Sequence, residues 1–287
     1  MSEHMFLINH GGRLCLQVGD TAYALGDAIP SLDWLLSELP ADQVAQQLLA
    51  ARGTPIVLDP AAIGPAIGAQ EVWASGVTYK RSEEARERES HNSTIYTRVY
   101  SAARPELFMK ALGEEVVGSG APAGIRYDAT WSVPEPELAI VFNRRMEVVG
   151  FTIGNDMSSR DIEGENPLYL PQAKVYERSC VLGPRIWLQP SRTEWPDVQI
   201  TIAIGRGGAT VFDGATSTAQ INRPLADLCD YLGRCKRFPR GVVLLSGTGI
   251  VPPDDFTLQP GDQVRITIDP IGELVNPIAV VGGAERG

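Results

Sequence analysis

Chemistry in this sequence is concentrated in a few short stretches. In VPEPELAIVFN, Glu135 and Glu137 stand two apart at the head of an apolar, β-branched run. If ELAIVF is a strand, alternate side chains point the same way and the two carboxylates share a face. Like charges side by side are costly unless a proton or a cation lies between them. A hard divalent cation such as Mg²⁺ takes oxygen ligands and keeps several waters, so a few carboxylates suffice to hold one. The same spacing also suits two solvated glutamates on an edge strand. In GFTIGNDMSSRDIEG, Asp156 follows an apolar strand in a Gly-Asn-Asp turn. Such a strand end can present a ligand, and an Asx residue there can equally bond its own backbone. Arg160 and Asp161 read as an ion pair or a turn-holding pair.

Two further stretches supply a base and a cradle. LYLPQAKVYERSCVLGP carries Lys174 in a mostly uncharged run. A lysine amine beside a divalent cation gives up its proton more readily and can carry protons at neutral pH, whereas most lysines reach solvent instead. LLSGTGIVPP offers Gly247, Thr248 and Gly249, whose backbone N–H groups and hydroxyl suit a carboxylate, or simply make a glycine-rich turn. In ARPELFMK, Glu106 after Arg-Pro reads as a helix-start residue favoured by the helix dipole. GVTYKRSEEARERESHNS runs an apolar segment into alternating charge, with its one histidine, His91, at the far end. Arg81, Glu84, Arg86, Glu87 and Arg88 there form a charge lattice of the kind that laces a solvated helix from Arg81 to about Ser90.

The elements that must position these groups are mostly strands. Residues 5 to 28 break into short apolar runs at Gly and Asp, which predicts two or three strands with tight turns. IPSLDWLLSELPADQVAQQLLAARG predicts two short helices, capped by Ser31, separated at Pro40 and ended by Gly53. The Pro/Gly/Ala-rich VLDPAAIGPAIGAQ places a boundary near residue 70, dividing a small N-terminal α/β domain (1–70) from a larger domain (71–287). Beyond it ELAIVF, VQITIAIG, ATVFDG, GVVLLSG and QVRITIDPIGELV read as strands. NRPLADLCDYLGRC reads as a helix with Asn222 as cap, Pro224 in the first turn and Leu225, Leu228, Cys229 and Leu232 on its apolar face.

Composition excludes several classes. The chain has 287 residues, 44% hydrophobic and 21% charged, enough for a substantial core. No run is long and apolar enough to span a bilayer, and the opening MSEHMFLINHGG lacks the basic and apolar segments of an export signal. Cys15, Cys180, Cys229 and Cys235 include no CxxC pair, which argues against a thiolate zinc site and for a reduced, cytoplasmic setting. A formal charge of −10 disfavours nucleic acid as a partner, and an anionic substrate then needs a local cation.

EPELAIV, GFTIGNDMSSRD, PQAKVYERS…GP, SGTG and LQPGDQVRITIDPIGELVNPI, taken in that order over roughly residues 71 to 284, resemble the fumarylacetoacetate hydrolase family. The resemblance implies an α+β, mainly β fold, a mixed β-sandwich roll, with a Mg²⁺-type ion (Mn²⁺ and Ca²⁺ accept the same ligands) and assembly as homodimers or homotetramers. It also implies that Glu135, Glu137 and Asp156 are the metal ligands, Lys174 the active-site lysine and Thr248 a substrate contact. Hydrolases of the family carry GxNYxxHxxE, whose His and Glu activate water. Here Ser82 and Ala85 stand at those positions, and His91 lies nine residues beyond Ser82 on another face of a helix. That departure, together with GVTYKRS and VYSAARPELFMKA, is similar to the family's sugar-acid dehydratases of the 2-keto-3-deoxy-arabinonate type. The implied reaction removes a C3 proton from a 2-keto-3-deoxy sugar acid, giving an enolate whose charge a chelated cation stabilises, and expels the C4 hydroxyl. Lys174 and Glu106 are then the proton carriers, with Arg81 and Ser82 meeting substrate hydroxyls or carboxylate. Hydrolysis or decarboxylation of a related 2-oxo acid, and a metal-bearing binding protein without turnover, are the competing expectations.

Overall fold

Seventeen strands of the computed structural model, which describes residues 3–79, 98–250 and 252–283, form one large sheet, one smaller sheet and a two-stranded ribbon. The strands are β1 (Met5–His10), β2 (Arg13–Val18), β3 (Thr21–Leu25), β4 (Arg52–Ile56), β5 (Glu71–Ala74), β6 (Phe108–Leu112), β7 (Ala123–Arg126), β8 (Ser132–Val133), β9 (Pro136–Phe142), β10 (Val148–Asp156), β11 (Ser158–Ser159), β12 (Cys180–Leu188), β13 (Gln199–Arg206), β14 (Ala209–Ser217), β15 (Val242–Leu245), β16 (Gln263–Ile268) and β17 (Gly272–Val281). The large sheet runs β4-β3-β2-β1-β12-β10-β9-β15-β5-β6 and the smaller β14-β13-β16-β17-β7. This is the mainly β, mixed-sheet fold expected.

The two sheets pack face to face. Leu138, Ile140 and Phe142 of β9 and Phe151 and Ile153 of β10 meet Ile200, Ile202 and Ile204 of β13 and Ile266 and Ile268 of β16 in one core. The opposite face of the large sheet, through Ala139, Val141, Val243 and Leu245, is covered by helices α1 (Leu32–Glu38) and α2 (Ala41–Ala51). A strand buried on both faces reads as a continuous apolar run, which is why ELAIVF has no polar alternation. β9 lies between β10 and β15, so the edge-strand alternative for Glu135 and Glu137 does not hold.

β1 pairs antiparallel with β12, so the strands before residue 56 extend the sheet that carries β9 and β10. The boundary expected near residue 70 therefore falls within one continuous sheet and one shared core. Ser31 caps α1 as expected, its Oγ accepting from Trp34 N at 3.1 Å. Gly53 does not stop α2; it lies inside β4, and the helix ends at Ala51 where the chain turns extended. Among the described residues three further helices are α3 (Arg160–Glu165), α4 (Leu170–Lys174) and α5 (Leu225–Gly233), besides the helical residues 98–101. α5 buries Leu225, Leu228 and Leu232 as predicted, but begins after Pro224, so Asn222 is not its cap. The N–H of Asn222 instead donates to Thr78 O at 3.0 Å. The expected charged helix from Arg81 to about Ser90, with Arg81, Ser82 and His91, lies outside the described residues.

Candidate metal centre and its basic residues

The site begins with strand register. In β9–β10 pairing, Glu137 stands opposite Gly154, and Asp156 N donates to Glu135 O at 3.0 Å. Directly opposed residues of an antiparallel pair share a face, so Glu135, Glu137 and Asp156 converge on one spot. Their carboxylates offer oxygens that all lie within 4.8 Å of one another, and all three side chains are buried. Asp156 is the last residue of β10 and pairs across to Cys180 of β12; the expected Gly-Asn-Asp turn is in fact strand. Asn155, beside it, accepts from Glu135 N through Oδ1 at 3.1 Å and fixes the local register.

Three buried cations surround the acids. Lys174, at the end of α4, places Nζ 2.7 Å from Glu135 Oε2, 3.3 Å from Asp156 Oδ2 and 2.5 Å from Ser158 Oγ. Arg160 reaches Glu135 Oε1 with Nη2 at 2.8 Å. Lys110 of β6, fully buried, lies 2.5 Å from Asp156 Oδ1 and donates to Met157 O at 2.9 Å and to Lys174 O. Sequence reasoning paired Arg160 with Asp161. The structure separates them: Arg160 turns inward to Glu135, while Asp161 holds the turn by accepting from Thr130 N and Oγ1 at 2.6 and 2.8 Å.

Electrostatics follow from this crowding. Burial, then the neighbouring Asp156 and Glu135, push the Glu137 carboxyl well above its usual range. Burial lowers the Lys110 ammonium, opposed by Asp156. The Cys180 thiol is pushed up to about 12, chiefly by burial, so it is inert as a nucleophile. Three hard oxygen donors that repel one another in a dry site fit a divalent cation, whose charge would relieve that repulsion.

The glycine-rich turn does cradle a carboxylate, but one of the protein's own. Gly247 N donates to Glu137 Oε2 at 2.6 Å. Gly247 has φ +87°, and a Cβ there would overlap Thr78 Oγ1, so the turn requires glycine. Thr248 lines the cavity, with its hydroxyl accepting from Ile250 N at 3.2 Å. Glu106 also lines it, from an extended lead into β6 rather than from a helix start. Facing it is the segment Ser75-Gly76-Val77, in which Val77 adopts φ 52°. For a β-branched residue that conformation costs roughly 1–3 kcal/mol, a strain of the kind found at functional sites.

The structure thus brings Lys174, Glu106, Thr248, Glu135, Glu137 and Asp156 around one cavity; Arg81 and Ser82 lie outside the described residues. Lys110, Arg160, Ser158 and Glu163, which lines the cavity from α3, were not singled out as site residues by sequence reasoning. A lysine inside the apolar run LFMKAL was the available signal for Lys110, since an unpaired buried lysine is rare.

Comparison with known proteins agrees with this geometry. Residues 71–279 match the fumarylacetoacetate (FAA) hydrolase C-terminal family. The chain is 44% identical over 265 residues, covering 92% of it and 88% of the relative, to a probable 2-keto-3-deoxyxylonate dehydratase of Haloferax volcanii. It is 42% identical over 215 residues, covering 72% of it and 71% of the relative, to the 2-dehydro-3-deoxy-D-arabinonate dehydratase of Saccharolobus solfataricus. A solved 2-keto-3-deoxy-D-arabinonate dehydratase complexed with magnesium and 2,5-dioxopentanoate superposes with TM-score 0.82 at 31% identity, over 98% of this chain and 100% of that one.

Proposed function

This chain belongs to the fumarylacetoacetate hydrolase family, and from that premise we propose that it is a hydro-lyase, a metal-dependent dehydratase that converts a 2-keto-3-deoxypentonate to 2-oxoglutarate semialdehyde and water. The observation that carries the reading is the buried Glu135–Glu137–Asp156 triad with the Lys174 amine between two of its members. Glu135, Glu137 and Asp156 would hold the divalent cation, Mg²⁺ in this proposal, which would supply Lewis-acid stabilisation of negative charge developing on a 2-oxo acid.

Lys174, whose Nζ stands beside Glu135 and Asp156, would take the proton from C3 of a 2-oxo acid bound at the triad. Glu106, on the Gly76 side of the cavity, gives a proton to the C4 hydroxyl, which leaves as water. The C3 proton stays on Lys174 while the water carries away the Glu106 proton. Moving a proton from C5 to C3 then places the double bond between C4 and C5, and the enol so formed loses its hydroxyl proton as C4 gains one, which leaves an aldehyde at C5. Passage of the Lys174 proton to Glu106 restores both groups. Thr248, Arg81 and Ser82 are assigned to the substrate's carboxylate and hydroxyls. Hydrolysis is disfavoured, because Ser82 and Ala85 stand where the family's hydrolases carry their water-activating pair and because the relatives at 44% and 42% identity are named dehydratases.

The test is turnover of racemic 2-keto-3-deoxypentonate with MgCl₂. Semialdehyde formed by the native chain and lost in Glu137→Gln is the expected result; pyruvate and glycolaldehyde in its place would overturn the reading. Homodimers or homotetramers and a cytoplasmic location accompany the proposal. A light-scattering mass equal to the single chain's 31.0 kDa would remove the first, and recovery in a membrane or secreted fraction the second. No helix among the described residues is long and apolar enough to cross a membrane.

A further inference from the structure

We infer that Ser75 and Gly76 are positioning residues whose task is to seat the Glu106 carboxylate in the cavity. The inference rests on the proposed role of Glu106 as a proton carrier. Its origin is strand register. β5 and β6 pair antiparallel with Ala74 opposite Phe108, so the chain just after β5 runs past the chain just before β6. Two steps further along each, Gly76 meets Glu106.

At that crossing one neighbour occupies the space a Cβ would take. A Cβ built on Gly76 would overlap Glu106 Oε2 and lie 2.8 Å from Cδ and 3.5 Å from Cγ; these three nearest atoms all belong to the Glu106 side chain. Gly76 is not among the residues with positive φ, so its backbone suits any residue. Space for the carboxylate, rather than backbone freedom, is what the glycine supplies. Ser75 grips the same residue by its main chain: its buried Oγ donates to Glu106 O at 3.0 Å, while its own N–H is fixed to Leu245 O at 3.0 Å. Thr78 Oγ1 donates to Ser246 O at 2.6 Å and ties the other end of the turn to the same partner segment. Glu106 is therefore held at its carbonyl by a turn that is itself anchored to β15, and its carboxylate lies against Gly76 of that turn.

Gly76→Ala tests this without deleting any polar group, since the glutamate can swing aside and the fold need not change. Turnover of 2-keto-3-deoxypentonate with MgCl₂ should fall ~100-fold in kcat, the scale of a misplaced reacting group, with KM within about threefold. The thermal midpoint should stay within about 2 °C and Mn²⁺ affinity should be unchanged, because Glu106 is not in the acidic triad. Glu106→Asp, which withdraws the carboxylate by one methylene, should partly relieve the clash. The double variant is expected to be at least about tenfold more active than the product of the two single losses, the coupling of residues in contact. Multiplicative losses, or a Gly76→Ala loss below about threefold, would overturn the positioning role. Full activity of Glu106→Gln would instead remove Glu106 as a proton carrier, a separate failure that leaves the contact at Gly76 without a catalytic task.

Discussion

At the residue scale the site sets three carboxylates against three buried basic side chains, and the proposed function divides proton traffic between Lys174 and Glu106. If Lys174 takes the C3 proton, Lys174→Met should abolish exchange of the C3 hydrogens with D₂O, followed by NMR. Glu106→Gln should retain that exchange while semialdehyde formation falls by ~100-fold or more. Loss of exchange in both variants, or in neither, would contradict the division. Glu137 yields a pH prediction. Its native carboxyl is held above the usual value of 4.5, so the stability it contributes to the metal-free chain is present below that value and is lost as pH rises through the native one. Metal competes with the proton for the same oxygens. The increase in thermal midpoint on adding MgCl₂ should therefore be larger near pH 8 than near pH 5.5, and Glu137→Gln should flatten the metal-free profile. Arg160 is 2% exposed and bonded to Glu135. Arg160→Met should lower metal-free stability by about 1.5–3 kcal/mol in urea titration, because it removes one of the two cations on Glu135 and leaves Lys174 as the other.

At the scale of elements, the site exists where strand ends and short helices converge. β9 and β10 deliver the acids, β6 delivers Lys110, and α3 and α4 bring Arg160 and Lys174 over the top. Residues 221–223 hold two stretches together: Ile221 bridges Tyr79, Asn222 N donates to Thr78 O, and the Arg223 guanidinium donates to the carbonyls of Val99, Ala102 and Ala103 at 2.9 to 3.2 Å. Strands and capped helices were legible because their signals are local, as Ser31 and the Leu225–Leu228–Leu232 face show. Asn222 misled for the same reason: a good capping residue was taken by a long-range partner. α2 offers a check of which face is buried. Leu48→Ala should cost about 2–5 kcal/mol, since Leu48 is fully buried. Leu49→Ala, at a position 38% exposed, should stay within about 0.5 kcal/mol in the same denaturation experiment.

At the scale of the whole molecule, the opening segment is structural support for the site. β1 covers the edge of β12, β12 pairs with β10, and β10 carries Asp156. Removing residues 1–56 would expose β12 as an apolar edge and uncover Leu182, Ile186 and Leu188. A chain starting at residue 71 is therefore expected to aggregate on expression, whereas independent folding, read by a cooperative thermal transition, would show that the larger unit needs no such cover. Sheet pairing across the boundary expected near residue 70 depends on contacts more than a hundred residues apart, as between Phe6 and Trp187.

From the sequence by itself came the mainly β class and, because the motifs keep their order, the family resemblance, which in turn implies Glu135, Glu137 and Asp156 as metal ligands and Lys174 as the active-site lysine. Tertiary structure alone decided that Arg160 bonds Glu135 rather than Asp161, that Lys110 belongs to the site, that the Gly247 amide serves Glu137, and that Gly76 makes room for Glu106. Each of these joins residues from strands or turns far apart in the chain. Such contacts are set by sheet register and close packing, which no local pattern of residue types encodes.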